Sequence, residues 1–356
     1  MNSALQHILV VGGNGFIGSA VCKAATARGI QVTSVSSSGR PYRTAKGHTP
    51  AWINKVSDAT LPPVLNLPED HKDVQVHLLV ASWLPFLQVS GVVHTLGTLF
   101  EDADGTYKRA IKSGDVPGLL SSFLENVVTG GSGGNPLEKH RAFRVQTKRG
   151  TYEVMNRDSA LRVCEAFMAS TPSSGAVENV PRPFVYISAE DVFRPVIPAR
   201  YIKTKREAER SIEEMMANAP NYRGIYIRPS LVYHAHQRPL TTPAAVLFNL
   251  SATFHAKVPP TLPTPSGVLR SLGSLSDSGD LRAPSPFESV ANALEIPPIH
   301  VDHVADAILV ALDSRSSVRG AVGVKRMREL IGWSESGANS GSGGVDDEEV
   351  RVRTGL

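Results

Sequence analysis

Residues 7–35 read HILVVGGNGFIGSAVCKAATARGIQVTSV, and the order of patterns inside them decides the fold. The apolar run Ile8 to Val11 reads as a buried parallel strand. Glycines stand next at 12, 15 and 18, with Gly13 between them. A helical pattern runs from Ala20 to Arg28 and closes at Gly29, and a second strand takes Gln31 to Val35. Strand, glycine turn, helix and strand within about thirty residues is the setting of a dinucleotide fingerprint. Gly12 permits the tight turn, Gly15 lets the backbone approach a pyrophosphate, and Gly18 lets the helix pack on the strand. The helix N-terminus then faces the negative phosphates. Asn14, Phe16 and Ile17 complete the loop as candidate cofactor contacts. The competing reading is a glycine-rich turn around an empty pocket. Either way the pattern predicts an α/β fold built on a doubly wound parallel sheet of the Rossmann type.

The residues just past the second strand bear on the cofactor. An NAD site usually places Asp or Glu there for the ribose hydroxyls. This chain has Ser36, Ser37, Ser38, Gly39 and Arg40, with Arg43 beyond. Hydroxyls donate to a 2′-phosphate, an arginine pairs with it, and no carboxylate repels it. Ser36, Ser37 and Arg40 therefore favour NADP(H) over NAD(H). The plain alternative is a polar loop with Arg40 solvated.

Further along, GVVHTLG (Gly91 to Gly97) is a short apolar strand ending in small residues. Ligands in open α/β sheets sit beyond such carboxyl ends, so Thr95, Leu96 and Gly97 are candidate neighbours of the cofactor's bridge. Residues 101–150 lack strong periodicity and read as an insertion, with Gly130 to Gly134 a flexible loop. Helical spacing returns in TYEVMNRDSALRVCEAFMAS, where Val154, Ala160, Leu161, Val163, Cys164 and Phe167 share an inward face. Asn156 is polar amid this face; it is either a cap or local backbone bonder, or a site residue.

The strand Phe184 to Ile187 carries Ser188 at its carboxyl end. After a Pro-rich loop, YIKTKREAERSIEEMM forms a helix on which Tyr201 and Lys205 share one face. Carbonyl reduction needs such a set, because a proton must reach the oxygen as hydride reaches the carbon. Tyrosine starts near pKa ~10, and a neighbouring ammonium and the oxidised nicotinamide both favour phenolate and lower that value toward the operating pH. Ser188 would hold the substrate oxygen. The alternative leaves Tyr201 capping the core and Lys205 beside Lys203 and Arg206 on a solvated basic face.

The motifs GGNGFIG, VVHTLG, YEVMNRDSALRVCEAF, VYISAED, YIKTKREAE, IYIRPSLVY and PPIHVDHVADAILVAL, in this order, resemble the short-chain dehydrogenase/reductase superfamily in its extended and atypical branches. The resemblance runs from residue 7 to about 315. Within it, HTLGTLFED and SAEDVF…ARYIKTKREAE look most like a fungal mitochondrial group of the coenzyme Q biosynthetic complex. That group is akin to the nucleotide-binding accessory subunit of respiratory complex I. The resemblance implies an NADP(H)-binding protein on the matrix side of the inner membrane, with coenzyme Q biosynthetic proteins as partners and peripheral membrane association. It places Arg228 and Pro229 in the turn behind the nicotinamide. It also implies a substrate-side lobe at about 235–300 within a single domain of residues 1–332. Ile202 departs from the family's frequent Gly and would narrow substrate access. Ala189 stands where sugar-nucleotide enzymes commonly have a second Ser or Thr. Glu190 and Asp191 match the carboxylates of epimerases and dehydratases, or simply begin the next loop.

Composition excludes other classes. At 41 % hydrophobic and 20 % charged the chain reads as a globular protein, and its net charge of +4 comes without a Lys/Arg stripe interleaved with aromatics. Nucleic acid is therefore not an expected partner. No apolar run reaches the ~20 residues of a spanning helix. Cys22 and Cys164 fall in helical patterns as buried small hydrophobes, and no metal-ligand spacing occurs. Only MNSALQH precedes the first strand, so a cleaved presequence is not expected and a cytoplasmic location stays open. Residues 333–356 are Gly/Ser-rich and read as a disordered tail. Three functions compete: an NADP(H)-dependent oxidoreductase acting on a small carbonyl or ring substrate, a non-catalytic cofactor-binding scaffold, and a sugar-nucleotide epimerase or dehydratase.

Overall fold

In the computed structural model the residues described are 7–36, 42–44, 47–58, 88–99, 151–170, 180–194, 197–239, 241–259, 262–275 and 285–333. Ser37 and Arg40, the insertion at 101–150 and the tail from 334 onward lie outside them. The opening unit is β1 (His7–Val11), α1 (Phe16–Ala27) and β2 (Gln31–Val35). The helix starts four residues earlier than its apolar spacing suggests, because Gly15 is its N-cap and the glycine turn runs directly into it. After a 3₁₀ turn at Ala51–Lys55 come β3 (Val56–Asp58) and β4 (Gly91–His94). A π-helical turn, Glu153–Asp158, then leads into α2 (Ser159–Ala169). The second half holds β5 (Arg182–Ile187), α3 (Ala199–Met216), β6 (Tyr222–Ile227) and β7 (Val232–Tyr233). It continues with α4 (Thr241–Lys257), α5 (Pro265–Leu275), α6 (Pro286–Glu295), β8 (Ile299–His300), α7 (Val301–Leu312), β9 (Gly320–Val322) and α8 (Val324–Leu330).

Seven strands form one sheet in the order β3-β2-β1-β4-β5-β6-β9, and each neighbouring pair is parallel. The chain reverses direction of winding between β1 and β4, and that is where such sheets present ligands. Burial on both faces explains the continuous apolar runs: every residue of β5 is buried, as is all of β4. One core layer packs Ile8, Val10, Val21 and Val185 against Val304, Ile308 and Leu312 of α7. The other packs Leu9, Val92, Phe184 and Tyr186 against Val163, Phe167, Ala208 and Ile212 of α2 and α3. The doubly wound parallel fold read from the sequence is the fold of the chain.

Two local features differ from expectation. Val154 and Leu161 are only half-buried, whereas Tyr152, Met155, Asn156 and Ser159 are buried. The π turn inserts extra backbone into the helix, which shifts the phase of the inward face. The Pro/Ser/Gly-rich stretch after Ala256 is also more helical than its composition suggests, since α5 and the start of α6 fall within it. Ser285 caps α6, accepting from the Glu288 N–H, with Pro286 in the first turn. Packed through α6, α4 and α5 form a helical lobe beside the sheet's carboxyl edge. Among the described residues no helix is long and apolar enough to cross a membrane.

Candidate functional site

The glycine turn is held by the sheet it leaves. Gly12 has φ +91°, a conformation costly for residues with a Cβ, and its N–H donates to Val35 O at 2.7 Å. Gly15 N–H closes the turn onto Gly12 O at 2.8 Å. A Cβ on Gly18 would collide with the Gly12 carbonyl oxygen and lie 2.9 Å from Thr95 Oγ1. Only glycine permits that approach. Gly15, by contrast, is exposed, and a Cβ there would meet nothing but Gly12 O, at 3.1 Å. The outward side of the turn is open. The α1 N-terminus has no side-chain cap and no acidic residue in its first turn. No carboxylate in that turn repels an anion from its leading N–H groups, and these residues fit a dinucleotide pyrophosphate.

Neighbouring candidates support this cradle. Thr95 Oγ donates to Val11 O at 2.9 Å and Gly12 O at 3.1 Å, so Thr95 fastens the turn. Asn14 Nδ2 donates to Ser36 Oγ at 3.0 Å, tying the loop to the end of β2. Leu96 packs against the core on the α2–α3 side. Phe16 and Ile17 are half-buried at the start of α1. Asn156 is buried within the π turn, accepting from Thr98 N at 2.9 Å and donating to Thr98 O at 3.2 Å. It is a backbone bonder, but of a distant loop: it fixes the segment just past β4.

Behind that segment lies the second group. Lys205 is 3 % exposed and donates to Ile187 O at 2.8 Å. It is therefore not on a solvated basic face, although Lys203 is exposed. Burial pushes the Lys205 ammonium down to about 7, against a smaller opposing pull from Glu209. Its Nζ lies 4.7 Å from the Tyr186 ring centre and 5.9 Å from that of Tyr201. A Cβ on Gly97 would stand 2.8 Å from both Lys205 Nζ and Asn156 Oδ1, so the loop after β4 and the α3 helix meet at these three residues.

Tyr201 is half-buried, and its ring meets Tyr152 edge-on at 6.0 Å. Its hydroxyl has no hydrogen-bond partner among the described residues. Burial first, then Tyr152, raises its pKa above the ordinary phenol value. The lowering expected from the ammonium alone does not outweigh this desolvation, because burial leaves Lys205 itself only partly charged. Ser188 is buried at the β5 end, and its Oγ accepts from Arg206 Nη1 at 3.1 Å. Arg206 also donates to Glu209 Oε1 at 2.8 Å, and Glu209 accepts both arms of Arg228. Arg228 is thereby paired, while the Pro229 carbonyl accepts from Glu190 N–H at 2.9 Å. Ile202 is buried. Asp191 is committed to a two-pronged ion pair with Arg194, 2.7 Å on each arm, which makes it part of the loop's frame. Burial raises the Glu190 carboxyl above its ordinary value.

Sequence reasoning missed two features. In the Arg206–Glu209–Arg228 chain beneath Ser188, only the Arg206–Glu209 step was readable, as helix charge spacing; Arg228 joins it from the end of β6. His234, His300 and Asp302, far apart in sequence, bring potential ligand atoms within 4.8 Å of one another. Both imidazoles, however, accept backbone N–H groups at Nδ1, from His236 and Gln237 for His234 and from Asp302 for His300. That polarity leaves the proton on Nε2 and opposes metal binding there.

The NAD dependent epimerase/dehydratase family profile matches residues 8–81. MIOREX complex component 2 of Saccharomyces cerevisiae is 31 % identical over 236 residues, which is 65 % of this chain and 75 % of that protein. An uncharacterized chloroplastic protein of Arabidopsis thaliana is 47 % identical over 55 residues, covering 15 % and 17 % of the two chains. A solved short chain dehydrogenase/reductase family oxidoreductase from Burkholderia thailandensis superposes with a TM-score of 0.46 at 12 % identity, over 94 % of this chain and 99 % of that one. With its glycine turn, parallel sheet and yeast relative taken together, the chain belongs to the NAD dependent epimerase/dehydratase family of short-chain dehydrogenase/reductase proteins.

Proposed function

We propose that this protein binds NADP(H) and acts as a short-chain dehydrogenase-type oxidoreductase on a carbonyl or ring intermediate of coenzyme Q synthesis, within a mitochondrial protein assembly. The observation that carries the reading is the meeting of Gly97, Asn156 and Lys205, which joins the cofactor-side loop to the helix bearing Tyr201. The open face of Gly15 and the leading N–H groups of α1 would hold the pyrophosphate. Ser36, held at the end of β2 by Asn14 Nδ2, would meet the 2′-phosphate. NADP(H), when bound, supplies or accepts the hydride.

The chain's own residues handle the proton. A phenol pushed upward by burial is neutral at physiological pH, so Tyr201 serves as an acid, delivering its proton to a substrate oxygen in the reductive direction. Ser188 has one lone pair engaged by Arg206, which leaves its own O–H as a donor to the same oxygen. Lys205, protonated about half the time near neutrality, favours the phenolate left behind. Purified protein with NADPH and a panel of quinone precursors tests this: Tyr201→Phe should cut turnover by roughly 10²-fold or more without changing cofactor affinity.

A second reading, a cofactor-holding scaffold, draws on the Lys205–Ile187 bond, which turns the ammonium toward the backbone rather than the Tyr201 hydroxyl. The yeast relative's designation as a complex component agrees with it. Normal quinone levels in cells carrying Tyr201→Phe, with loss on Gly15→Asp, would decide for the scaffold.

A further inference from the structure

We propose that the outer face of α4 docks on an anionic lipid surface, with Val246, Leu247, Leu250 and Phe254 entering the acyl boundary and Lys257 meeting the headgroups. The proposal is independent of the dinucleotide site. The four apolar side chains recur at helical spacing, so they form one stripe, and each is between 55 % and 67 % exposed. The same helix has a second apolar face. Ala245 and Ala252 are buried, Phe248 packs on Phe193, and Ser251 Oγ donates to Leu294 O of α6 at 3.0 Å. Packing within the lobe thus occupies one side of α4 and leaves the stripe uncovered among the described residues. An exposed apolar patch of this kind marks an interaction surface. α3 shows what this chain turns to water: of its exposed residues, Arg200, Lys203, Arg210, Glu213 and Glu214 are charged, and Ala199 alone is not. The whole exposed face of α4 carries one charge, Lys257.

Charge decides what covers the stripe. No Asp or Glu occurs between Glu214 and Asp277, so α4 and α5 are both free of acid. The apolar character continues on α5, where Val268 and Leu272 are exposed and line a groove with Leu262. On α6, Glu295 accepts both arms of Arg270 at 2.5 and 2.8 Å, and His255 of α4 also attracts it. Glu288, exposed in the first turn of α6, is the remaining carboxylate of these three helices. Lys257 has no ion-pair partner among the described residues. A second copy would offer the same acid-free face. Paired antiparallel, stripe to stripe, each Lys257 would come against the other's α4 N-terminus, which is itself partly positive. An anionic bilayer supplies both an apolar layer for the stripe and the negative charge that the lobe lacks.

Vesicle flotation of the full chain tests this, with phosphatidylcholine alone and with equal parts phosphatidylcholine and phosphatidylglycerol. Wild type should bind the anionic vesicles about tenfold more tightly than the neutral ones, and salt should erode that preference. Lys257→Gln should weaken anionic binding about fivefold, the worth of one cation at such a surface. Leu247→Asp combined with Leu250→Asp should cut it by at least about tenfold. All three positions are exposed, so thermal melts should match wild type. A polarity-sensitive dye on Thr253→Cys should shift to the blue on anionic vesicles, and the same dye on Glu214→Cys of α3 should not. Absence of wild-type binding would overturn the proposal, as would a double variant that floats like wild type or equal shifts from both dyes. A dimer in sedimentation equilibrium that the double variant splits would overturn it too, by making a second copy the occupant.

Discussion

Removing the Lys205 ammonium should change how stability depends on pH, and the size of that change comes from its burial. The group lies near pKa 7 in the folded chain, against ~10.4 when exposed. Between these values the unfolded chain holds a proton that the folded chain has released, so stability must rise with pH. From pH 7 to pH 9 the folded group goes from half-protonated to almost fully neutral, and the integrated gain is about 2 kcal/mol. Lys205→Met should lack this gain. It keeps the stem's packing against Tyr186 and drops the amine with its hydrogen bond to Ile187 O, a loss that lowers stability overall and leaves the pH slope to report the ion. Urea unfolding at pH 7, 8 and 9 measures both proteins. The Cys164 thiol, pushed up to about 12 by burial, costs stability as the unfolded thiol ionises, but equally in both. The difference between the two slopes therefore isolates Lys205. Parallel slopes would mean that the ammonium stays charged inside the fold, and would refute the account of Tyr201 as a phenol with a weakly cationic neighbour.

Other perturbations separate holding the fold from holding the ligand. Gly18→Ala forces a methyl onto the Gly12 carbonyl and should cost about 1–3 kcal/mol in chemical denaturation, whereas Gly15→Ala should leave stability nearly unchanged and weaken dinucleotide binding. Asn156→Ala removes both bonds to the Thr98 backbone, for a loss of about 2 kcal/mol in urea; Asn156→Asp should recover the part owed to the acceptor. Glu209→Ala strands the guanidiniums of Arg206 and Arg228, and should cost about 3 kcal/mol in the same assay. That figure sits at the low end for such pairs because each arginine side chain is 27 % exposed.

The sheet's first half was legible because one buried parallel strand, one glycine turn and one helix leave little choice of arrangement. β2 falls where its alternation ends, at Val35. Ser188, Tyr201 and Lys205 were singled out from strand-end position and helical spacing, and Lys205 lies buried rather than on a solvated face. Their ionisation was not legible. Whether an ammonium lowers a phenol's pKa depends on distances of a few ångström and on how much water each group has lost, and neither is written in a spacing. The π turn escaped because its sequence keeps ordinary helical residues while the backbone slips phase beneath them. α5 and α6 were obscured by proline and glycine, although Ser285, Pro286 and Glu288 spell a helix start.

The loop between Ser188 and Tyr201 has a mechanical side as well. Phe193 sits at φ +63°, a backbone setting that a phenylalanine adopts only when its surroundings compel it. Its ring is wedged edge-on against Phe248 of α4 at 4.8 Å. The Arg194 N–H donates to Ser289 Oγ, and Asn292 Nδ2 donates to Asp191 O, so α6 supplies both partners. The loop is thus riveted to the lobe at three points just before it delivers Tyr201. Tilting the lobe must pull on the root of α3, while the seven-stranded sheet stays still. Substitutions along α4 and α6 can therefore shift the root of α3, and Tyr201 with it, without touching the glycine turn at the far end of the sheet's first strand.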